Sequence, residues 1–300
     1  MLPVLFTIGK WPVSSFGVFL TLGFLLGVFL VWRLSRAWDL DEEKILDLTL
    51  LTFLGGLLGA RLYFVLEHLS IFIPNISRIV LINKSPGFSF WGAFLGGWLT
   101  LSFLSKSKKM DFWLLGDIAA VGFLGSLVLV DLGCFLGGCQ VGIISNFLGV
   151  SMVGILGKRF PTQILEALLF SFALLKLWSE AIRFQLRGKI LSLALIYIGL
   201  IKFLMGFLKQ KSDEGQFLSV VLFFLGILIL YRIIKRNIFS DIKNLPKIIL
   251  KSITDPAIRK SWLLRFQKNW YNQTTSISWR FRNLKKSLRR LNVKFSNKNN

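Results

Sequence analysis

Five ionisable side chains stand out in the long apolar stretches of this 300-residue chain: Arg61, Asp117, Asp131, Glu166 and Lys202. A charge at the centre of a bilayer costs roughly 2.5–3.5 kcal/mol on insertion scales, so such residues are functional candidates by default. All of them except Asp117 are expected at a similar depth, which predicts a polar cavity that opens outward. The alternative is simple neutralisation, in which Arg61 pairs with Glu166 or Lys202 pairs with Asp131.

The other reactive residue types are few. His68 is the single histidine, and its position after Glu67 predicts an interfacial residue. Cys134 and Cys139 stand five positions apart, which is not a metal-binding spacing. They are expected to be small buried residues, although a disulfide is possible if they face the outside. We expect no metal and no cofactor.

The elements that carry these residues are predicted from composition. Apolar residues make up 54% of the chain, the mean hydropathy is +0.63, and charged residues account for 17%, against about 25% in soluble domains. This excludes an ordinary soluble enzyme and a disordered chain. Seven stretches are close to the roughly 20 residues that a membrane helix needs: 13–32, 45–66, 87–104, 112–132, 160–178, 190–208 and 217–231. We therefore predict an all-α integral membrane protein with about seven transmembrane helices.

Two details of that prediction stay open. Residues 141–157 could form an eighth span, but their limited length favours a re-entrant or interfacial segment. Glycine clusters in the second and third spans predict close helix packing: Gly55, Gly56 and Gly59 in one, and Gly92, Gly96 and Gly97 in the other.

The charge of the chain is unevenly distributed. The formal net charge is +22, and residues 232–300 hold 18 Lys and Arg but only 2 Asp and Glu. We therefore divide the chain into a membrane domain, residues 1–232, and a basic tail, residues 233–300. Basic residues are also more frequent in one set of loops, and the positive-inside rule assigns these loops to the cytoplasm. This places the N-terminus outside and the C-terminus in the cytoplasm.

The tail carries apolar residues at helical spacing. Trp262, Phe266 and Trp270 are four apart, and a second series begins at Leu284. With Lys and Arg between them, these residues favour an amphipathic helix on an anionic membrane surface. A solvated, partly disordered extension is the main alternative, and nucleic-acid contact is the least favoured one.

Seven short motifs, in order along the spans, resemble those of bacterial prolipoprotein diacylglyceryl transferases. The resemblance covers about residues 6–232. The motifs are Phe6-Thr-Ile8-Gly9 with Ser15-Phe16-Gly17, Gly59-Ala-Arg61-Leu-Tyr63, Phe88-Ser89-Phe90-Trp91-Gly92, Gly116-Asp117, Asp131-Leu-Gly133-Cys134 continuing to Gly142, Phe160-Pro161-Thr162-Gln163 continuing to Glu166, and Gly199-Leu-Ile-Lys202 with Lys209-Gln210.

The resemblance implies a multi-pass enzyme of the bacterial inner membrane. Its reaction would move the diacylglyceryl group of phosphatidylglycerol onto the lipobox cysteine thiol of a prolipoprotein, releasing glycerol-1-phosphate. Cations must then hold the phosphate, and a base should help the thiol ionise. The implied catalytic positions are Arg61, Trp91, Asp131, Glu166 and Lys202. The implied substrate-binding positions are Tyr63, Asp117, Gly133, Cys134 and Gln163.

Several motif positions differ from the family. Trp91 replaces a histidine, Asp131 an arginine, Lys202 an arginine and Gly206 a glutamate, and Phe16 replaces a tyrosine. An aspartate in place of an arginine reverses the sign of the interaction with a phosphate. We therefore predict retained lipid binding with weak or absent transfer. The alternatives are a family member without catalysis that binds lipid or a partner, and a transporter, for which the chain shows no internal repeat.

Overall fold

The computed structural model describes residues 2–9, 11–79, 87–152, 157–183, 186–210 and 215–235, with seven further positions between 260 and 271. The chain divides into two units, Met1–Lys235 and Arg236–Asn300. In the second unit, the described positions are helical: 260, 261, 263, 264, 267, 268 and 271. The predicted tail residues Trp262, Phe266, Trp270 and Leu284 lie outside the described residues.

Helices dominate the first unit. The long helices are α1 (Ser15–Ala37), α2 (Glu42–Glu67), α4 (Phe90–Ser107), α5 (Phe112–Gly137), α6 (Thr162–Ala181), α7 (Lys189–Gly206) and α8 (Gly215–Ile234). A short helix α3 (Leu69–Phe72) and a 3-10 turn (Ile76–Ile79) lie between α2 and α4. Each of the seven apolar stretches thus coincides with a long helix, which confirms the all-α fold class.

Five of these helices are long and apolar enough to cross a membrane: α1, α2, α5, α7 and α8. The other two are less uniformly apolar. Glycine, serine and threonine interrupt α4, and α6 carries Glu166, Lys176 and Glu180. The all-α membrane protein is therefore confirmed, whereas the count of seven spans and their orientation stay predictions.

The helices pack around α5 and α7, which are the most buried of the five apolar helices. Helix α5 contacts α1, α4, α6 and α7, and the pairs α2 with α4 and α7 with α8 pack along their lengths. Large side chains such as Leu58, Leu99 and Phe217 point outward and are 67–75% exposed. Exposed apolar side chains on every face are what a helix bundle in lipid presents, because the lipid tails are as apolar as leucine.

Glycine allows α2 and α4 to approach closely. A Cβ built on Gly59 would lie 2.7 Å from the Cα of Gly96 and would also meet the carbonyl oxygen of Gly92. A Cβ on Gly55 would collide with the side chain of Thr100. The predicted role of the two glycine clusters in helix packing therefore holds at these positions.

Extended segments form where the sequence suggested none. Strands β1 (Val4–Ile8) and β2 (Trp11–Ser14) form an antiparallel hairpin before α1. The backbone N–H of Leu2 donates to the carbonyl of Leu136 (3.1 Å), which ties the hairpin to the end of α5. The first apolar stretch, expected to be helical from residue 13, therefore becomes helical only at Ser15.

The segment after α5 is not a spanning helix in the part that the structure describes. Strands β3 (Val150–Ser151) and β4 (Lys158–Arg159) pair antiparallel, and isolated bridges join Gly142 to Lys209 and Ile144 to Arg159. The reading of residues 141–157 as an eighth span is therefore wrong for the described residues. Extended backbone that bridges the ends of α6 and α7 replaces it.

Candidate functional site

A buried cluster of charges lies where α6 and α7 meet the end of α5. The Glu166 carboxylate is 1% exposed. Its Oε2 lies 3.1 Å from Nζ of Lys202, and its Oε1 lies 3.5 Å from Nζ of Lys209. Both lysine side chains are only 9% exposed. One carboxylate therefore joins two ammonium groups from positions 36 and 43 residues away in the chain.

Two aromatic rings also lie close to the Lys202 ammonium. Its Nζ lies 4.6 Å from the ring centroid of Phe90 in α4 and 5.4 Å from that of Phe170 in α6. A ring face attracts a cation at such distances, more strongly where water is excluded. Lys202 is thus fixed by an ion pair and two rings.

Asp131 supplies a second carboxylate to this region. It lies on α5, is 7% exposed, and is within electrostatic range of Lys202, Lys209 and Glu166. Its Oδ2 is buried and makes no hydrogen bond within the described part of the chain. Two carboxylates thus face two ammonium groups, and the formal charges balance.

The pairing differs from both expected combinations. Glu166 pairs with Lys202 and Lys209, not with Arg61. Among the described salt bridges, Lys202 is joined to Glu166 and not to Asp131. The guanidinium of Arg61 does not pair with Glu166 because it projects into the connection between α2 and α4.

In the contacts that the structure describes, Arg61 holds backbone carbonyls. Its guanidinium donates to the carbonyls of Ile79 (3.0 Å), Gly87 (3.0 Å) and Arg78 (2.8 Å). It also lies over the ring of Phe72, 5.3 Å from the centroid. These contacts make Arg61 a clamp on the segment before α4, and its expected catalytic role stays a prediction.

Trp91, the second residue of α4, packs against the start of α8. Its indole Nε1 lies where a Cβ on Gly215 would be, at the start of α8. The neighbouring Phe90 contacts Lys202 instead. At Gly206, where the family carries a glutamate, the amide of Gln216 fills the adjoining space, 2.7 Å from a built Cβ.

Three of the predicted substrate-binding residues serve packing or loop anchoring. Gln163 is 1% exposed, and its Nε2 donates to the carbonyl of Gln140 (2.6 Å). Gly133 lets α5 approach Phe19 of α1, and Tyr63 lies against Gly92. These residues hold the segments around the cluster in place.

Asp117 lies at the other end of α5 and caps another helix. Its two carboxylate oxygens accept the backbone N–H groups of Gly188 (2.6 Å) and Leu191 (2.7 Å) at the start of α7. The free N–H groups of a helix start favour such an acceptor. This carboxylate therefore fixes the helix that carries Lys202, and its expected role in substrate binding stays a prediction.

The two cysteines lie side by side at the end of α5. Gly138 adopts a left-handed conformation (φ +73°), and the N–H of Cys139 donates to the carbonyl of Cys134 (3.0 Å). This turn brings the two side chains together. The Cys134 thiol donates a hydrogen bond to Cys139, which lowers the pKa of Cys139. Both are free thiols, and Cys139 is exposed, so the expectation of buried residues is wrong for it.

Of three further residues in this region, Lys209 and Gln210 were named in a motif without an assigned role, and Arg159 was not singled out. Lys209 completes the pairing of Glu166, and Nη1 of Arg159 donates to Oε1 of Gln210 (3.2 Å). Arg159 is 8% exposed. The signal for Arg159 was its position directly before the motif that begins at Phe160.

The cavity between α2, α4, α5 and α7 is apolar. It has a volume of about 110 Å³, and Phe94, Trp98, Phe123 and Leu195 are among the residues that line it. It is therefore not the polar cavity that the intramembrane charges predicted.

These helices and the buried ion cluster define an all-α, multi-pass membrane protein. The chain belongs to the prolipoprotein diacylglyceryl transferase family, whose model matches residues 3–232.

Individual relatives carry the name of the same family. The chain is similar to proteins named phosphatidylglycerol–prolipoprotein diacylglyceryl transferase from three bacteria. It is 28% identical to that of Geobacter sulfurreducens over 79% of this chain and 96% of the relative. It is 25% identical to that of Clostridium tetani over 76% and 96%, and 27% identical to that of Lactococcus lactis over 77% and 94%.

Proposed function

We propose that this chain transfers the diacylglyceryl group of phosphatidylglycerol to the lipobox cysteine of a prolipoprotein, in a bacterial inner membrane. The observation that carries the proposal is the buried cluster of Lys202, Lys209, Glu166 and Asp131 inside a bundle of this family. The relatives' names supply the lipid and the protein substrate. The motif order along the chain supports the same reaction.

The cluster offers a base for the thiol. Oδ2 of Asp131 is buried and has no hydrogen-bond donor within the described residues, so it can accept the thiol proton. The resulting thiolate attacks the glyceryl carbon that carries the phosphate ester. The carbon–oxygen bond breaks, a thioether forms, and glycerol-1-phosphate leaves with the electron pair. This step assigns to Asp131 the proton transfer that Trp91 cannot perform.

The lysines offer charge stabilisation for the leaving phosphate. Ammonium groups placed in advance at a water-excluded site stabilise negative charge that develops during a reaction. Lys202 is held by Glu166 and by the ring of Phe90, 4.6 Å away. A lysine acts as a point charge and lacks the bidentate geometry of the family's arginine, so we expect a slower reaction than in relatives with arginine.

The direct test supplies the purified chain with phosphatidylglycerol and a lipobox peptide. We expect glycerol-1-phosphate to be released in equal amount to the thioether product. Asp131→Asn removes the base and is expected to lower the rate by about 100-fold or more. The matched control is Asp47→Asn, the same change at an exposed carboxylate of α2. Equal rates in the two variants would remove Asp131 from the mechanism.

A second candidate is a family member that binds phosphatidylglycerol without transferring it. It is favoured by the charge balance of the cluster, in which Glu166 already engages both lysines at 3.1 and 3.5 Å. Complementation of a transferase-depleted bacterium separates the two candidates. Growth with modified lipoproteins supports the enzyme. No growth, with lipid binding retained, supports the second candidate.

The basic tail is proposed to bind the anionic cytoplasmic surface. The described positions between 260 and 271 are helical, and Leu263, Leu264 and Tyr271 are 56–69% exposed. An exposed apolar set beside Lys260 and Lys268 suits the headgroup region. Deleting residues 240–300 should leave membrane insertion intact and remove the binding of added anionic vesicles. Loss of insertion would show that the tail is part of the fold.

A further inference from the structure

Arg159 is a buried cation outside the ion cluster. It lies in β4, three residues before α6, and is 8% exposed. Its Nη1 donates to the amide oxygen Oε1 of Gln210 (3.2 Å), and its Nε is buried with no hydrogen-bond partner. Within the part of the chain that the structure describes, no carboxylate forms a salt bridge with it.

This arrangement is costly for the free protein. Burying a charge is unfavourable unless it is paired and hydrogen-bonded. A guanidinium cannot relieve the cost by losing its proton, because it stays protonated in proteins. Gln210 supplies only a neutral acceptor. An anion bound from outside the chain is the group that would offset the cost.

The surroundings of Arg159 suit an anion. The 20-residue helix α6 begins at Thr162, and its N-cap, Pro161, makes no side-chain capping bond. Thr162 and Gln163 are at most 1% exposed, so this helix start is buried. The first N–H groups of a helix carry partial positive charge and commonly bind phosphate. A cation and a helix start thus lie together at one end of α6.

The proposed reaction would use a further phosphate-binding cation in this region, beside the two lysines. Lys202 and Lys209 are both engaged by Glu166, and an aspartate stands at position 131. The planar guanidinium of arginine recognises phosphate oxygens in bidentate fashion. By the predicted topology, this end of α6 is at the outer face, at the depth of phospholipid headgroups.

We propose that Arg159, with the start of α6, binds the phosphate group of phosphatidylglycerol or of the glycerol-1-phosphate that leaves it. The choice of these ligands rests on the proposed function. The site itself rests on the burial of Arg159, its unpartnered Nε and the buried helix start.

The test measures binding of each ligand to the full-length chain in a neutral detergent. The probes are phosphatidylglycerol, glycerol-1-phosphate and, as the phosphate-free comparison, diacylglycerol. Arg159→Met is expected to weaken the binding of the phosphate-containing ligand by about tenfold or more and to leave the binding of diacylglycerol unchanged. The matched control is Lys158→Met, the neighbouring exposed cation, which should stay within about twofold of wild type.

A second variant keeps the test decisive if Arg159→Met does not fold. Gln210→Glu places a carboxylate where Oε1 now accepts from Arg159. It should compete with the ligand, so phosphate binding weakens while the unfolding temperature stays at or above that of wild type. Weaker phosphatidylglycerol binding identifies the headgroup as the ligand, and weaker glycerol-1-phosphate binding identifies the product; either supports the site.

Unchanged binding of both phosphate ligands in Gln210→Glu and in any folded Arg159→Met would overturn the site. The same holds if wild type binds neither ligand. A failure of the proposed function gives a different result. If phosphate binding depends on Arg159 but no transfer occurs, the binding site is supported and the transferase activity is rejected. If transfer occurs but binding does not depend on Arg159, the activity is supported and the site is rejected.

Discussion

Glu166 takes part in two buried ion pairs. One carboxylate, 1% exposed, faces the ammonium groups of Lys202 and Lys209. Burying an ion pair contributes little net stability, but removing one partner leaves an uncompensated charge. The stability of the cluster therefore depends on Glu166 more than on either lysine alone.

Glu166→Gln is expected to destabilise the fold by about 3–5 kcal/mol, because two buried lysines then lose their counter-ion. Thermal unfolding in detergent measures the loss. The control is Glu180→Gln, which breaks pairs of a side chain that is 36% exposed and should cost about 1 kcal/mol or less. Similar unfolding temperatures for the two variants would mean that water reaches the cluster.

Cys139 should react with thiol reagents at a lower pH than an ordinary cysteine. The hydrogen bond from Cys134 lowers the pKa of Cys139, whose usual value is about 8.5. Only the thiolate reacts, so the alkylation rate should reach half its maximum below that pH. In Cys134→Ala the midpoint should move up. An unchanged midpoint would show that the two thiols do not interact.

At the scale of elements, the ends of the helices decide where the charges lie. Asp117 of α5 caps α7 with bonds of 2.6 and 2.7 Å, and Arg61 of α2 clamps the segment before α4. Both residues were predicted to act on substrate. Burying a charged residue inside a membrane bundle costs free energy. Such a residue can be retained because it hydrogen-bonds the backbone of a neighbouring element or because it acts on substrate, and the sequence alone does not distinguish these two roles.

Asp117→Asn tests this capping role. The amide keeps one acceptor but loses the charge and one of the two acceptors, so we expect a loss of about 0.5–2 kcal/mol in unfolding free energy. The affinity for phosphatidylglycerol should not change. Asp39→Asn, at an exposed position with φ +50°, is the control. A loss of lipid affinity without a loss of stability would return Asp117 to the binding site.

The connection between α5 and α6 was the least predictable element. Apolar composition suggested a membrane-associated piece, and the described residues form extended segments bridged to Lys209 and Arg159. Periodicity does not distinguish a short, continuous apolar run in a strand from one in a buried helix, and the hairpin before α1 was missed for this reason.

At the scale of the whole molecule, close contacts between helix backbones at glycine residues help to hold the bundle together. The backbones of α2 and α4 meet at Gly59 and Gly96. Small residues at such contacts are the main way that helices associate in lipid, where no hydrophobic effect drives them together.

Gly59→Val should separate α2 from α4 and destabilise the bundle by about 1–3 kcal/mol, because its Cβ would meet the backbone of Gly92 and Gly96. The unfolding temperature in detergent reports the change. Leu58→Val, at the adjacent position that is 67% exposed, should have little effect. Equal stability of the two variants would show that the contact between α2 and α4 is loose.

The sequence by itself determined the helices, the concentration of positive charge in the tail and the family. These follow from local properties, because an apolar stretch of sufficient length forms a helix in lipid and motifs keep their order along the chain. Glu166 and Lys202 were each singled out as charges inside spans, but not as partners of each other, and the structure joins them at 3.1 Å.

Only the tertiary structure decided the partners of each charge. Glu166 meets Lys202 and Lys209, Arg61 meets backbone carbonyls, Trp91 lies against Gly215, and Arg159 is buried without a carboxylate among the described residues. The physical reason is that pairing depends on the rotation of each helix and on contacts between residues that are distant in the chain. Side-chain type and spacing indicate which charges are costly to bury, whereas the packing of the helices decides which groups pair with each buried charge.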